Sequence, residues 1–251
     1  MAVVLGVDAA WTAHGSSGVA LVTGEPGAWR CLRVAPGYAA FTGGSSEVGP
    51  LLDAARRIAG APVDVVAIDM PVARVPFEGR RFADNEISRV FGGRGCSAHS
   101  PLPHRPGPFG RELTAELARR GYPVHTEGAW GSHGCAVEVY PHPALLALLG
   151  RARRVPYKVQ KSRTYWPDRD ARQRIEALLD ELGAIHAALE RELGPVRVSL
   201  PRAGDVARLA SLKPLENSLD ALVCAWVGTR FVAGRVTAYG DADASIFCPN
   251  G

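Results

Sequence analysis

The fold is decided by a stretch near the N-terminus, residues 3–8, which read Val-Val-Leu-Gly-Val-Asp. The run is apolar on both faces until its last residue, which is typical of a strand in the middle of a sheet. Small and polar residues at 9–17 predict a turn, and residues 18–22 predict the second strand of a hairpin. Because a bare buried carboxylate is costly, Asp8 must face a cleft or a cation, or accept hydrogen bonds from the amides of the turn.

Composition narrows the class of protein. The 251 residues are 47% hydrophobic, enough for a well-packed core. No run approaches the roughly 18 to 20 apolar residues that cross a bilayer, and no charged-then-apolar leader is present, so we expect a cytoplasmic protein without a membrane partner. Five scattered cysteines, never spaced two apart, argue against a disulfide scaffold and a zinc ribbon. The net charge of +4 permits an anionic partner without requiring one.

Strands and helices alternate after the hairpin. Further strands are predicted at residues 29–34, 63–68 and 135–140, with one or two short strands or loops in 236–247. Helices are predicted at residues 48–59, 82–91, 109–120, 143–149, 168–193 (either continuous or broken near Gly183) and 216–234. Residues 37–50 and the Gly-, Pro- and His-rich segment 92–108 are predicted loops. This order indicates an α/β domain with a mixed sheet and a helical insertion before the C-terminal helix.

Four acids occupy places where chemistry is expected. Asp8, Asp69 and Glu138 lie at or near the ends of three predicted strands, and Asp220 lies in the last helix. Functional groups of α/β sheets gather outside the carboxyl ends of strands. Four carboxylates in one cleft would repel one another and call for cations, and oxygen ligands suit Mg²⁺ or Mn²⁺. Two such ions can activate a water and stabilise the leaving oxygen in phosphodiester cleavage.

Each acid also has an ordinary structural explanation. Asp69 could cap the turn that follows it, and Glu138 could face outward in the alternation of its strand. Asp220 would favour the dipole of its helix if Asn217 were the N-cap, because it would then occupy the capping-box position. The sequence leaves these alternatives open.

Basic residues supply candidate phosphate contacts. A cluster with interleaved aromatics lies in the connector 151–163, and it can bind a nucleic-acid backbone and stack on unpaired bases. The candidate substrate-binding residues are Arg81, Arg89, Lys158, Lys161 and Arg163. The alternatives are a solvated connector, and helical pairs of Arg81 and Arg89 with Asp84 and Glu86. His142 could assist a proton transfer or be a turn residue.

The chain resembles a known family through short motifs in a fixed order. These are residues 6–8 (GVD), 67–71 (AIDMP), 138–141 (EVYP) and 218–222 (SLDAL), with an Arg-rich stretch at 80–84 (RRFAD) leading to 94–97 (RGCS), and Tyr157-Lys158. They are similar to the domain of unknown function 429 family, which is described as predicted RNase H-like nucleases. The resemblance spans residues 3 to about 233.

The resemblance implies an RNase H-like fold: a mixed five-stranded sheet, its first three strands antiparallel, flanked by helices. We therefore expect one RNase H-like domain over residues 1–251, with the basic connector and helical insertion at 151–212. The resemblance also implies a carboxylate site from the first strand, a later central strand and a C-terminal helix. Asp8, Asp69 and Asp220 match those positions, and Glu138 is a fourth candidate.

Three functional hypotheses follow. The first is a metal-dependent nuclease in which Asp8, Asp69, Glu138 and Asp220 hold Mg²⁺ or Mn²⁺ and the substrate is DNA, RNA or a hybrid. The second is a nucleotide-binding protein of the actin-like or kinase-like kind, although neither Asp8 nor Asp69 is followed by a Gly-rich phosphate loop. The third is a non-catalytic nucleic-acid-binding module. The sequence leaves the oligomeric state open, a homodimer included.

Overall fold

The predicted hairpin is present, and both of its strands lie inside the sheet. The computed structural model describes residues 1–10, 17–102 and 104–250, apart from the side chain of Pro108, so most of the predicted turn at 9–17 lies outside the described residues. The strands are β1 (Ala2–Asp8), β2 (Gly18–Glu25), β3 (Ala28–Ala35), β4 (Val65–Ile68), β5 (Cys135–Val139), β6 (Val236–Gly240) and β7 (Ser245–Pro249).

The strands form one mixed sheet in the order β3-β2-β1-β4-β5-β7-β6. In the first three strands, β2 is antiparallel to both β1 and β3, and β4, β5 and β7 continue the sheet parallel to β1. This confirms the expected α/β class and is consistent with an RNase H-like fold. The sheet has seven strands instead of the five that the resemblance implied, because a C-terminal antiparallel hairpin of β6 and β7 extends it beyond β5.

Helices cover both faces of the sheet. They are α1 (Tyr38–Thr42), α2 (Val48–Ala59), α3 (Phe82–Phe91), α4 (Pro108–Arg119), α5 (Pro141–Leu149), α6 (Ser162–Tyr165), α7 (Ala171–Leu193) and α8 (Lys213–Val232). One apolar core joins the sheet to α5, α7 and α8, and a second core joins its other face to α1, α2 and α4. Among the described residues, no helix is long and apolar enough to span a membrane.

Most predicted helices are present with shifted ends. The helix α7 continues through Gly183 without a break. The helix α1 lies in a segment predicted to be a loop, and a 3-10 turn, Gly92–Arg94, opens the predicted loop at 92–108. The segment 151–212 contains α6, α7 and three 3-10 turns, and the buried face of α7 packs in the same core as α8.

The buried helix α8 lies close to the sheet because glycines occupy the interface on both sides. Gly6 of β1 leaves no room for a side chain, since a Cβ there would overlap the backbone of Ala221 and Ala225. From the other side, Gly228 of α8 lies against the side chain of Val4. The missing side chains let the helix approach the strands, and this sets the height of every α8 residue above the sheet.

Replacing Gly6 with alanine should therefore destabilise the protein. The added methyl would meet helix backbone, which cannot yield as a flexible side chain can, so we expect a loss of about 3 kcal/mol in the free energy of unfolding, at the upper end of the overpacking range. Urea denaturation measures it. Gly204→Ala is the control, because a Cβ at that position meets nothing within 4 Å. Equal stabilities of the two variants would contradict this packing.

Candidate active site

Asp8 and Asp69 lie side by side at the carboxyl edge of the sheet. Val7 is in register with Ile68 in the parallel pair of β1 and β4. The ladder extends one residue further, because the backbone N–H of Asp69 donates to the carbonyl oxygen of Val7 at 2.9 Å. Neighbouring strands are about 4.8 Å apart, so the two acids end adjacent strands at the same level.

Both carboxylates lie on the face of the sheet that α8 covers. Side chains two residues apart in a strand point to the same face. Asp8 comes two residues after Gly6, which faces α8. Asp69 comes two residues after Ala67, whose Cβ is close to the position that a Gly228 side chain would take. Periodicity and packing together assign both acids to one side.

Asp220 is brought to the same place by α8. Asp8 pairs across the hairpin with Gly18, and a Cβ on Gly18 would overlap the carbonyl of Asn217, one turn before Asp220. Asp220 is completely buried. Because α8 begins at Lys213, Asp220 lies two turns inside the helix, and its interpretation as a capping-box acid is wrong.

Both oxygens of Asp220 have donors. The hydroxyl of Tyr157 donates to Oδ1 at 2.6 Å, and the ammonium of Lys158 donates to Oδ2 at 2.5 Å. One turn earlier, Glu216 accepts the backbone N–H of Val159 at 2.7 Å and the ammonium of Lys213 at 2.6 Å. The connector after α5 is thus attached to α8 at the carboxylates. Lys158, predicted to contact substrate, is the cation partner of Asp220.

The cluster carries more negative charge than its cations offset. Burial, and next the charge of Asp220, raise the pKa of Asp8 to about 7. Burial and the charge of Asp8 raise the pKa of Asp69 well above its usual range. Burial also raises the pKa of Asp220 although Lys158 opposes the shift. At neutral pH the site therefore retains protons unless another cation enters.

Lys158 remains charged in this setting. Burial alone would lower the pKa of its ammonium, but the neighbouring Asp220, Tyr157 and Asp8 outweigh burial and raise the pKa well above its usual value. Its side chain is 21% exposed, so the ammonium lies at the boundary between the acids and solvent.

Glu138 does not join the three aspartates. It is in register with Ile68, which belongs to the core on the face opposite α8. Its carboxylate accepts two hydrogen bonds from the guanidinium of Arg81, at 2.6 and 2.7 Å, and one from the backbone N–H of Val72 at 2.9 Å. Glu138 is buried, so it is also not the outward-facing strand residue considered as the alternative.

Arg81 is a buried structural cation. It is 7% exposed, donates to the carboxylate of Asp84 at 2.8 Å, and binds the carbonyl oxygen of Val72 at 2.8 Å as well as Glu138. The guanidinium thereby joins the loop after Asp69 to β5 and to the start of α3. Its donors are occupied by protein, so Arg81 does not present a phosphate site in this structure.

Removing the Arg81 guanidinium should be strongly destabilising. Arg81→Met leaves the buried carboxylate of Glu138 without its cation, and breaking such a pair costs about 3 to 5 kcal/mol. Arg89→Met is the matched control, because Arg89 forms an ion pair with Glu86 on the surface of α3 and its side chain is 68% exposed. We expect the control to change the free energy of unfolding by less than about 0.5 kcal/mol. Similar losses in both variants would contradict the buried-pair interpretation.

The other predicted phosphate contacts lie on the surface. Arg89 forms the helical pair with Glu86 that was one of its two interpretations. Lys161 and Arg163 are exposed, and they follow Lys158 within the turn Val159–Lys161 and the helix α6.

His142 is neutral and buried at the start of α5. Its Nε2 lies 2.7 Å from Nη2 of Arg154, so the imidazole accepts from the guanidinium. Burial, then Lys158 and Arg154, lower the pKa of His142 well below its usual value. A general acid needs a protonated ring, so a role of His142 as general acid is disfavoured.

Sequence reasoning did not place Tyr157 or Glu216 at the acids, although Tyr157 is quoted with Lys158 among the family motifs. Tyr157 is adjacent to Lys158, and Glu216 lies one helical turn before Asp220; both spacings are visible in the sequence. Neither could be selected without knowing that the connector returns to α8, since Tyr157 and Asp220 are 63 residues apart.

The carboxylate oxygens of the cluster suit a hard divalent cation, but the side chains are not already arranged around one. Within the described part of the chain, no group of three or more His, Cys, Asp or Glu side chains is placed to hold a metal ion. Tyr157 and Lys158 occupy Asp220 instead. Three neighbouring carboxylates are nevertheless the oxygen ligands that Mg²⁺ and Mn²⁺ prefer. Binding would require Asp220 to exchange Lys158 for the ion.

Comparison with known proteins gives one result. The family model described as a protein of unknown function (DUF429) matches residues 6–244, nearly the whole chain. Neither a curated protein nor a solved structure matches the chain. The matched range contains the three aspartates, Lys158 and Glu138, and we conclude that this chain belongs to the DUF429 family.

Proposed function

We propose that the protein is a divalent-metal-dependent nuclease that hydrolyses phosphodiester bonds of nucleic acid. The observation that carries the proposal is the convergence of Asp8, Asp69 and Asp220 on one face of the sheet, at the carboxyl ends of its central parallel strands. Their raised pKa values support it, because burial disfavours the charged carboxylates and, for Asp8 and Asp69, the charge of a neighbouring aspartate adds to that effect, so a bound divalent cation would relieve both.

The residues have separate roles in this proposal. Asp8, Asp69 and Asp220 hold Mg²⁺ or Mn²⁺, which supplies activation of water and stabilisation of the leaving oxygen. Lys158 neutralises Asp220 before substrate arrives, and the exposed Lys161 and Arg163 bind the nucleic-acid backbone.

Two of the residues that the sequence analysis predicted for the site take supporting roles. Glu138 and Arg81 hold the loop after Asp69 from the opposite face of the sheet, and in this proposal they bind neither metal nor phosphate. We place the protein in the cytoplasm, which the free thiols of its five cysteines favour.

The test begins with metal binding and ends with cleavage. Titration calorimetry of Mn²⁺ and Mg²⁺ should show binding to the wild type that is lost in Asp8→Asn and Asp69→Asn. It should be retained in Asp180→Asn, whose acid is exposed on α7. Single-stranded DNA, RNA, duplexes and hybrids then identify the substrate.

Two outcomes would overturn the proposal. Cleavage that survives the loss of both Asp8 and Asp69 would remove the acids from the chemistry. Absence of metal binding, even with an oligonucleotide present to supply phosphate ligands, would favour a non-catalytic binding module.

A further inference from the structure

A cavity of about 670 Å³ opens at the edge of the sheet where the acids lie, on the face opposite α8, which α2 and α4 cover. Its walls include Ala9 and Ala10, directly after Asp8, and Met70, directly after Asp69. Tyr38 also lines it, and the pKa of its hydroxyl is raised by burial and by the charge of Asp8. The cavity therefore begins where the strands bearing two of the three aspartates end.

The walls are apolar and aromatic inside. Met70 is 2% exposed, and Tyr38, Val48 and Leu113 line the same space. Phe109 at the start of α4 is 39% exposed, one of few large hydrophobic side chains that reach solvent. Flat aromatic and thioether surfaces of this kind stack on planar rings. The volume is in the range of sites for small organic molecules, about 300 to 1,000 Å³.

The polar groups of the cavity include three carboxylates and two guanidiniums, together with the hydroxyls of Ser17, Tyr38 and Ser46. Glu47 and Glu112 contribute exposed carboxylates to the lining. The two arginines present, Arg119 and Arg120, both form ion pairs with Glu116 at 2.5 Å. Free carboxylates repel phosphate but accept hydrogen bonds from exocyclic amines, as Glu and Asp do from cytosine N4. The lining thus favours a neutral planar ring that carries N–H donors over an anion.

We propose that this cavity binds an unpaired nucleobase of the substrate, while the phosphate of the same nucleotide lies at Asp8, Asp69 and Asp220. The inference rests on the proposed nuclease function and adds a substrate class. A base inside a duplex is stacked and paired, so it must leave the stack to enter a pocket. The substrate is then single-stranded nucleic acid, or a site with an unpaired nucleotide, and the preferred bases carry an amino group.

The chain offers a direct probe of this cavity, because Met70 and Met1 are its only two methionines. Labelling the methionine methyl groups with ¹³C gives two NMR signals, one from Met70 in the cavity and one from Met1, which is 85% exposed. In metal-free buffer we expect added cytidine to shift the Met70 signal and leave Met1 unchanged. The nucleoside has no phosphate, so the result does not depend on metal or on catalysis.

Variants assign the contacts. Phe109→Ala should weaken cytidine binding about tenfold, within the energy of stacking a base on an aromatic ring. Phe82→Ala is the control, because Phe82 is also exposed, at 53%, but lies on α3. Glu112→Gln should reduce the preference for cytidine over uridine, which lacks the amino group. Asp8→Asn should keep cytidine binding.

The outcomes separate this inference from the proposed function. No shift of Met70 at millimolar nucleoside, or a shift that Phe109→Ala leaves unchanged, overturns the base pocket even if the protein is a nuclease. If the protein binds cytidine, Phe109→Ala weakens that binding and no nucleic acid is cleaved, the base pocket is upheld and the proposed nuclease function is overturned. Equal cleavage of duplex and single strands would also contradict the inference.

Discussion

Replacing Asp8 with asparagine should abolish metal-dependent cleavage and, in the same protein, raise the free energy of unfolding above pH 7. Asparagine keeps the size of the side chain but removes a negative charge that a divalent ion needs. We expect cleavage to fall by at least about 10³-fold, equivalent to about 4 kcal/mol of transition-state stabilisation. The gain in stability follows from the raised pKa of Asp8, about 7, in the folded protein.

The pH dependence has a definite sign. The unfolded pKa of an aspartate is about 3.9, so between about pH 4 and pH 7 the folded protein holds a proton on Asp8 that the unfolded chain has lost. Wild-type stability therefore falls as the pH rises through this window. The variant lacks the slope, because its amide is neutral at every pH. Near pH 4 the two proteins should be nearly equal, and at pH 8 the variant should be more stable by roughly 4 kcal/mol.

Urea denaturation in the presence of a chelator, at pH 5 and pH 8, measures the difference. Asp180→Asn is again the control, since its acid is exposed on α7. If Asp8→Asn left the free energy of unfolding at pH 8 unchanged, the carboxylate of Asp8 would be solvated and not destabilised by burial and by neighbouring charges. A variant that still cleaves would show that Asp8 holds no metal.

The second large effect concerns the cation at the site. Lys158→Met should lower the free energy of unfolding of the metal-free protein by about 3 kcal/mol, because it leaves the buried carboxylate of Asp220 without its ion pair. The contact is short, 2.5 Å, and the ammonium also lies 3.6 Å from Glu216. If the acids hold a divalent ion, Mn²⁺ should restore more stability to the variant than it adds to the wild type.

Two further variants make the Lys158 test specific. Lys161→Met removes an equal charge from the exposed side of the same segment, and we expect a change below about 0.5 kcal/mol. Lys158→Arg keeps the charge and should recover part of the loss. The ion pair would be refuted as a stabilising contact if Lys158→Met and Lys161→Met unfolded at the same urea concentration.

Local pattern was enough to locate most strands and two of the acids. The run at 3–8 is apolar on both faces and therefore belongs in the middle of a sheet, and β1 is indeed between β2 and β4. Asp8 and Asp69 end short apolar runs, so their position at the sheet edge follows from where each run stops. The helix at 48–59 was predicted with the ends it has, because its apolar stripe and the glycine after it are local signals.

Features that depend on contacts between residues far apart in the chain could not be predicted from local sequence patterns. Glu138 lies near the end of a strand, as Asp8 does, yet a register that pairs it with Ile68 turns it to the other face. A shift of one residue would have reversed that, and no local pattern sets the register of two strands about 70 residues apart. Arg81 looks like a surface cation in sequence, but its partner Glu138 is 57 residues away.

The sequence by itself thus determines an α/β sheet and two carboxylates at its edge. The burial of a strand and the position of its end depend on residues that are neighbours in the chain, so local patterns are enough to predict them. Which acids meet, and what neutralises them, follows from packing. Close approach of α8 over Gly6 puts Asp220 beside Asp8, and the return of the connector puts Lys158 on Asp220. These contacts join segments that are far apart in the chain. Such segments meet only when burial of the whole apolar core offsets the conformational entropy that folding costs.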